Sequence, residues 1–158
     1  MTLSELEKAY VAGFLDGDGS IHVRIKPNHD YRFRFQIAPN IVFYQSQKEM
    51  HHLQWLNRLL GAGYVRRRND GIAELVIGDE KGLVKIIKDL LPYLKLKQRQ
   101  AKLMFDILQR KRTVKNARDF LKISRLIDQF EIFNYSKIRK QNADKVHKVL
   151  IQEGLLTP

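Results

Sequence analysis

The chain has 158 residues, 44% hydrophobic and 29% charged, with a formal net charge of +12 and no cysteine. The length predicts one domain spanning 1–158 with a sizeable core, and the composition excludes a disordered chain; the missing thiols exclude a disulfide scaffold, a cysteine nucleophile and a thiolate metal site. No run approaches ~18 apolar residues, and the opening residues are not a basic segment followed by an apolar one, so neither a membrane span nor a secretory signal is expected. Along the chain, Ser4 and Glu7 have capping-box spacing ahead of a helix over about 5–15, which stops at Asp16-Gly-Asp-Gly19. Ile21, Val23 and Ile25 alternate with polar residues as a half-buried strand over 20–26, and Pro27-Asn-His-Asp30 reads as a turn. A second alternating run places Tyr31, Phe33, Phe35 and Ile37 on one face, with a bend or bulge at Pro39. Residues 46–60 have helical periodicity ended by Gly61-Ala-Gly63, and a second hairpin pairs 64–68 with 72–77 across Asn69-Asp-Gly71. Helices are expected over 80–91, 98–112, 117–133 and 142–152. The order helix, two strands, helix, two strands, then helices is α+β, with helices on one face of an antiparallel sheet.

The charge is unevenly distributed. Residues 1–80 hold 10 basic and 10 acidic side chains, whereas 81–158 hold 19 and 7, so the second half carries the whole excess. A basic surface of this size points to a polyanion, nucleic acid before an anionic membrane surface. If the alternation holds, the uncovered sheet face presents Ser20, His22, Arg24, Lys26, Arg32, Arg34, Gln36, Asn40, Arg66 and Arg68. An ordinary wet sheet face mixes charges of both signs. This one has five arginines and no acid on its strands before Glu74, and Arg, Lys, Gln and Asn are the side chains that reach phosphates and base edges.

Asp16 and Asp18 close an apolar helix, where carboxylates oppose the macrodipole. Something should offset that placement. A calcium loop fails, because its sixth position is Ile21 and its twelfth is Pro27. The remaining readings are a solvated turn and a Mg²⁺ site for phosphodiester hydrolysis. The basic strand starts at Ser20, directly after the two acids, and this adjacency favours the metal.

The segment Val11-Ala-Gly-Phe-Leu-Asp-Gly-Asp-Gly19 resembles the signature of the LAGLIDADG homing endonucleases. Ile25-Lys-Pro-Asn28, Gly63-Tyr-Val-Arg66, Leu94-Lys-Leu-Lys-Gln98 and Asn134-x-Ser-Lys137 are similar to the single-motif, homodimeric members. The resemblance implies a motif helix, then a ββαββ saddle and C-terminal helices, with two motif helices packed across a dimer axis through Leu6, Ala9, Ala12, Gly13 and Asp16. It implies that Asp18 binds the metal with help from the Gly17 carbonyl, and that Asp16 caps the opposing motif helix. Gln45 would organise water near the metal, and Lys97 would polarise that water or stabilise phosphate charge. DNA contacts are implied for the sheet face above together with Asn28, Tyr31, Glu74 and Val76, and for Lys137 and Arg139 in a later backbone-contacting loop. Glu74 could accept from cytosine N4. Two departures stand out: Glu49 occupies the place of a family arginine, with Lys48 beside it, and Val42 replaces a polar base-reading residue.

The expected function is Mg²⁺-dependent, site-specific cleavage of both strands of a pseudo-palindromic duplex of roughly 20 base pairs. By resemblance Mn²⁺ would substitute, and Ca²⁺ would bind without supporting cleavage. The alternative is a nucleic-acid-binding protein without nuclease activity, or a maturase of intron RNA. The presence of Asp18, Gln45 and Lys97 favours the enzyme. A chloroplast, a mitochondrion or a prokaryotic cytoplasm is the expected location.

Overall fold

The computed structural model describes residues 2–134 and 141–157. Helix α1 (Glu5–Asp18) starts from a complete capping box: the Ser4 amide donates to Glu7 Oε2 at 2.7 Å, and Ser4 Oγ accepts from the Glu7 amide at 3.3 Å. The helix runs three residues past the expected stop, through the first glycine of the acidic corner. It ends at Gly19, whose backbone turns extended at φ −123° and ψ 175°. A Cβ there would lie 2.7 Å from the Leu15 carbonyl oxygen, so only glycine fits this close passage of strand over helix.

Strand β1 (Gly19–Pro27) follows at once, with Ile21, Val23 and Ile25 buried and Arg24 and Lys26 exposed, as the alternation requires. Strand β2 (Phe35–Ser46) begins four residues later than the periodicity suggests and continues through Pro39. The reason is a closed loop over 28–34. The Asn28 amide donates to the Arg34 carbonyl at 2.8 Å, the Arg34 amide to the Tyr31 carbonyl at 2.8 Å, and the Asp30 amide to Asn28 Oδ1 at 3.1 Å. Arg34 takes the left-handed conformation, φ 63°, which a strand cannot contain. Tyr31, Arg32, Phe33 and Arg34 are therefore loop residues, and their apparent alternation is coincidental.

A 3₁₀ turn (Gln47–Glu49) leads into α2 (Met50–Leu60), ended by Gly61 at φ 63°. Strands β3 (Tyr64–Arg67) and β4 (Ile72–Ile77) complete a four-stranded sheet of order β1-β2-β4-β3, with β4 antiparallel to both β2 and β3. Helices α3 (Glu80–Leu90), α4 (Gln98–Lys111), α5 (Ala117–Asp128), α6 (Phe130–Phe133) and α7 (Ala143–Gln152) follow. The helix expected over 117–133 is thus two, broken at Gln129.

The chain forms two compact units. The first joins the segment ending at His22 to Asn40–Lys102, and the second joins Val23–Pro39 to the chain from Leu103 onward. In the first, Val11, Leu15, Phe43, Leu53, Leu75 and Ile86 are fully buried. In the second, Ile107, Leu108, Ile127, Phe130, Val146 and Leu150 are buried, and Phe120 packs against Phe33, tilted, and Phe35, stacked, with ring centroids 5.3 and 6.5 Å away. No helix among the described residues is long and apolar enough to cross a membrane.

Candidate functional site

The acidic corner is built in the first unit from the end of α1 and the loop ahead of α4. No basic residue lies in the last turn of α1, so its carbonyl end lacks the usual local cation. The loop 95–97 supplies what is missing. Asp16 is buried; its Oδ2 accepts from the amides of Lys95 and Leu96 at 2.6 and 3.1 Å, and its Oδ1 accepts from the amide of Lys97 at 2.9 Å. The Lys97 ammonium turns back and donates to the Asp16 carbonyl. Burial pushes the Lys97 ammonium below the usual lysine range, against the opposing pull of Asp16 and then Asp18. The offset that the sequence suggests for a metal is thus met, at Asp16, by three amides and one ammonium. Both carboxylate oxygens of Asp16 are committed within its own chain.

Asp18 is exposed, one helical step from Gly17, whose carbonyl lies among the unpaired acceptors of a helix end. No group of three or more His, Asp or Glu side chains among the described residues could hold a metal. A single chain therefore offers one carboxylate and one carbonyl. That set does not suit zinc, which takes three or four protein donors, chiefly His and Cys, but it suits Mg²⁺, which takes one or two carboxylates and completes its octahedron with water and phosphate oxygens. Gln45 lies half-buried at the end of β2, its Oε1 accepting from the Ser46 amide at 2.9 Å, which leaves its NH₂ group available. Asp16, Asp18 and Lys97 meet at this corner, and among the described residues no hydrogen bond joins Gln45 to Asp18 or Lys97. Glu49 is exposed and lies 3.5 Å from His51 Nε2; Lys48 is exposed beside it.

On the sheet, register assigns the faces. Arg66 opposes Glu74, which opposes Tyr44; Tyr64 opposes Val76, which opposes Val42. These six share one face with Asn40, while Leu75, Phe43 and Ile41 share the buried one. Ser20 and His22 bond each other at 3.2 Å on the outward side of β1, and Arg24 and Lys26 continue it. Gln36 and Asn40 are half-buried outward residues of β2.

Several expected contacts are altered. Glu74 is only 4% exposed: its Oε2 lies 2.6 Å from Arg66 and its Oε1 3.1 Å from Arg68, which also reaches Asp70 at 2.7 Å. Its lone pairs are taken by guanidinium groups, so it organises two arginines rather than standing open to cytosine. Val76 and Val42, though on this outward face by register, are each less than a tenth exposed. Arg68 lies one residue beyond β3, its amide donating to the Ile72 carbonyl. In the second unit, Arg34 pairs with Glu153 at 2.8 Å and donates to the His29 carbonyl, and Arg32 lies over the Phe33 ring. Asn28 spends its Oδ1 on the Asp30 amide, and Tyr31 is exposed. Lys137 and Arg139 lie outside the described residues.

The α1 stripe divides. Leu6, 85% exposed, lies on the outer face with Ala9 and Gly13, whereas Ala12 and Asp16 belong to the interior. Beyond the backbone of the helix itself, no atom of the described residues lies within 4 Å of a Cβ built at Gly13 or Gly17. Sequence reasoning misses three exposed apolar residues of this unit. Tyr10 bonds His52 Nε2 at 2.9 Å and meets Trp55 edge-on; Trp55, whose type favours the core, is 40% exposed; Leu96 is 73% exposed. Sequence reasoning also misses Tyr64 and Tyr44, which strand parity with Arg66 and Asn40 would have revealed.

A family model described as LAGLIDADG endonuclease matches residues 11–109. The DNA endonuclease I-CreI of Chlamydomonas reinhardtii is 37% identical over 142 residues, 89% of this chain and 86% of that protein. The DNA endonuclease I-CvuI of Chlorella vulgaris is 32% identical over 150 residues, covering 95% and 93% respectively. The crystal structure of I-CvuI in complex with its target superposes with a TM-score of 0.91, covering 96% of this chain and 97% of that one at 32% identity.

Proposed function

This chain belongs to the LAGLIDADG endonuclease family, and we propose that it cleaves both strands of a specific DNA duplex as a homodimer. The observation that carries the reading is the acidic corner: an exposed Asp18 at the end of α1, with the Lys97 ammonium fixed beside it and the basic strand β1 beginning directly after it. Asp18 and the Gly17 carbonyl would hold a divalent ion, Mg²⁺ by the hardness of the oxygen donors. When bound, such an ion stabilises charge on the attacking and leaving oxygens of phosphodiester hydrolysis. Lys97 presents a cation to the phosphate, and the free NH₂ of Gln45 orients water at the strand end. Ser20, His22, Arg24, Lys26 and Asn40, with Arg66 and Arg68 aimed by Glu74, bind the duplex.

One Asp18 per chain serves one strand, so cutting both requires a second copy. The exposed Leu6, Ala9, Gly13 and Gly17 give that copy a surface on which two helices can pack closely, because no side chain of the described residues lies within 4 Å of a Cβ at either glycine.

A second reading, binding without cleavage to DNA or intron RNA, is favoured by one observation, the exposed carboxylate of Glu49 where the family resemblance has an arginine. Selection of cleaved sites from a library randomised in each half-site, in Mg²⁺ and in Mn²⁺, decides between them. Wild type should yield cut sites. Asp18→Asn should lose cleavage by orders of magnitude and retain binding, since the amide keeps the shape and removes the charged metal ligand. A wild type that binds tightly and never cuts establishes the second reading, and loss of binding with Asp18→Asn removes the metal argument.

A further inference from the structure

The sheet does not account for the basic excess of the second half of the chain. Of residues 110–125, seven are Lys or Arg and one, Asp119, is acidic. They lie at the end of α4, in the turn after it and on α5, where several of them line an open cleft of about 360 Å³ within the second unit. We propose that this cleft binds one nucleotide of a single-stranded nucleic acid, or the same nucleotide free in solution.

The volume falls in the ~300–1,000 Å³ range of small-molecule sites. Lys122, Arg125 and Gln129 recur along α5 and its C-cap at helical spacing, and Arg110 joins them from α4. Arg110 is already paired with Asp106 at 2.8 Å. Among the described residues neither Lys122 nor Arg125 forms an ion pair. Asp119 has one carboxylate oxygen bonded to the Lys115 amide at 3.2 Å. The cleft thus holds two uncompensated cations against one partly engaged carboxylate, and a guanidinium is the side chain that matches a phosphate with paired donors.

An inorganic anion does not use the rest of the lining. Val114, Ile123 and Leu126 form an apolar wall suited to the flat face of a base. Gln129 offers both donor and acceptor to a base edge. Thr113, whose hydroxyl donates to the Arg110 carbonyl at 2.9 Å, remains an acceptor. Cations, apolar wall and amide together match phosphate, base face and base edge. A base within a duplex is stacked and paired and would have to be flipped out to reach the cleft, so an unpaired nucleotide is the natural occupant. None of these residues belongs to the sheet or to the Asp18 corner.

The test uses the full chain and three probes: a fluorescently labelled ten-nucleotide RNA of uridines read by anisotropy, with uridine 5′-monophosphate and inorganic phosphate as competitors. Lys122→Ala/Arg125→Ala, at exposed positions, should keep the thermal melt and the affinity for target duplex while weakening RNA binding by at least about tenfold, the worth of one charge-assisted hydrogen bond. The salt slope of RNA binding should fall by about 0.7 for each phosphate that the variant leaves unneutralised. Leu126→Asn, which removes the apolar side chain without changing the charge, should weaken binding as well, which a purely electrostatic surface does not predict. If the monophosphate competes at concentrations similar to the RNA, the free nucleotide is the ligand; if only the RNA binds tightly, the strand is. Unchanged RNA binding in both variants, or inorganic phosphate competing as well as the monophosphate, overturns the proposal. Neither result bears on cleavage, which is read separately on duplex DNA.

Discussion

The ammonium of Lys97 donates to the main-chain carbonyl of Asp16 while the carboxylate of Asp16 accepts from the Lys97 amide, so two residues 81 positions apart hold each other through both main chain and side chain. This reciprocal clasp fixes the end of α1 and the side chain beside Asp18 in one arrangement.

Lys97 should titrate below ordinary lysines, because burial disfavours its charge more than Asp16 and Asp18 favour it. Asp18→Asn removes one of the two favourable charges, so the pKa should fall further. Heteronuclear NMR of labelled lysine side chains across pH checks this, and an unchanged or raised value contradicts it. The linkage has a definite sign. Between the lowered folded value and the ordinary 10.5 of the unfolded chain, the unfolded state binds the extra proton, so this group's contribution to stability rises with pH through that window.

Asp16→Ala should be among the most destabilising substitutions on the motif helix. It strips acceptors from three part-buried amides and leaves α1 without its bracing loop. A loss of about 2–4 kcal/mol is expected by chemical denaturation. Lys97 would lose its register over α1, so any activity should fall at temperatures where the variant is still folded. A loss below about 1 kcal/mol would mean that the loop is held by other means.

Gly13→Leu should leave the fold of the subunit intact, since beyond the helix's own backbone no described atom lies within 4 Å of the added Cβ, and should block close approach of a second copy. Sedimentation should shift from twice 18.6 kDa toward 18.6 kDa. Gly19→Ala is the contrasting control: its Cβ meets Leu15 main chain at 2.7 Å, so it should destabilise the subunit itself. A Gly13→Leu protein that still sediments as a dimer places the interface elsewhere.

Glu74→Gln should remove the ion pair of Arg66 and leave Arg68 paired with Asp70 alone. Binding to non-cognate duplex should strengthen at low salt, and the slope of log K against log salt should steepen by up to about one unit as one more phosphate is engaged. Discrimination among target bases should fall, because Arg66 and Arg68 would no longer be aimed by a shared carboxylate. Unaltered salt dependence with unaltered specificity would show that the three side chains are structural.

Local chemistry made much of this protein legible. The capping box at Ser4, the alternation of β1, the hairpin at Asn69-Asp-Gly71 and the helical periods after residue 79 depend on neighbours within a few residues, and the structure follows them closely. The motif at 11–19 carried the family for the same reason, because its close helix-to-strand turn needs glycine at 19. What sequence could not show was decided by partners distant in the chain. The acids at 16 and 18 look alike along the sequence, yet one is sealed by amides at 95–97 and the other is left open, because burial depends on which loop passes the end of α1. The arginines on alternating positions looked equally available, but Glu74 and Glu153 claim three of them, through contacts set by strand register and by the closed loop at 28–34. An ionic partner chosen by tertiary packing leaves no trace in local periodicity, and so the sequence by itself determined the elements and the corner, while the fold alone decided which charges remain free to act.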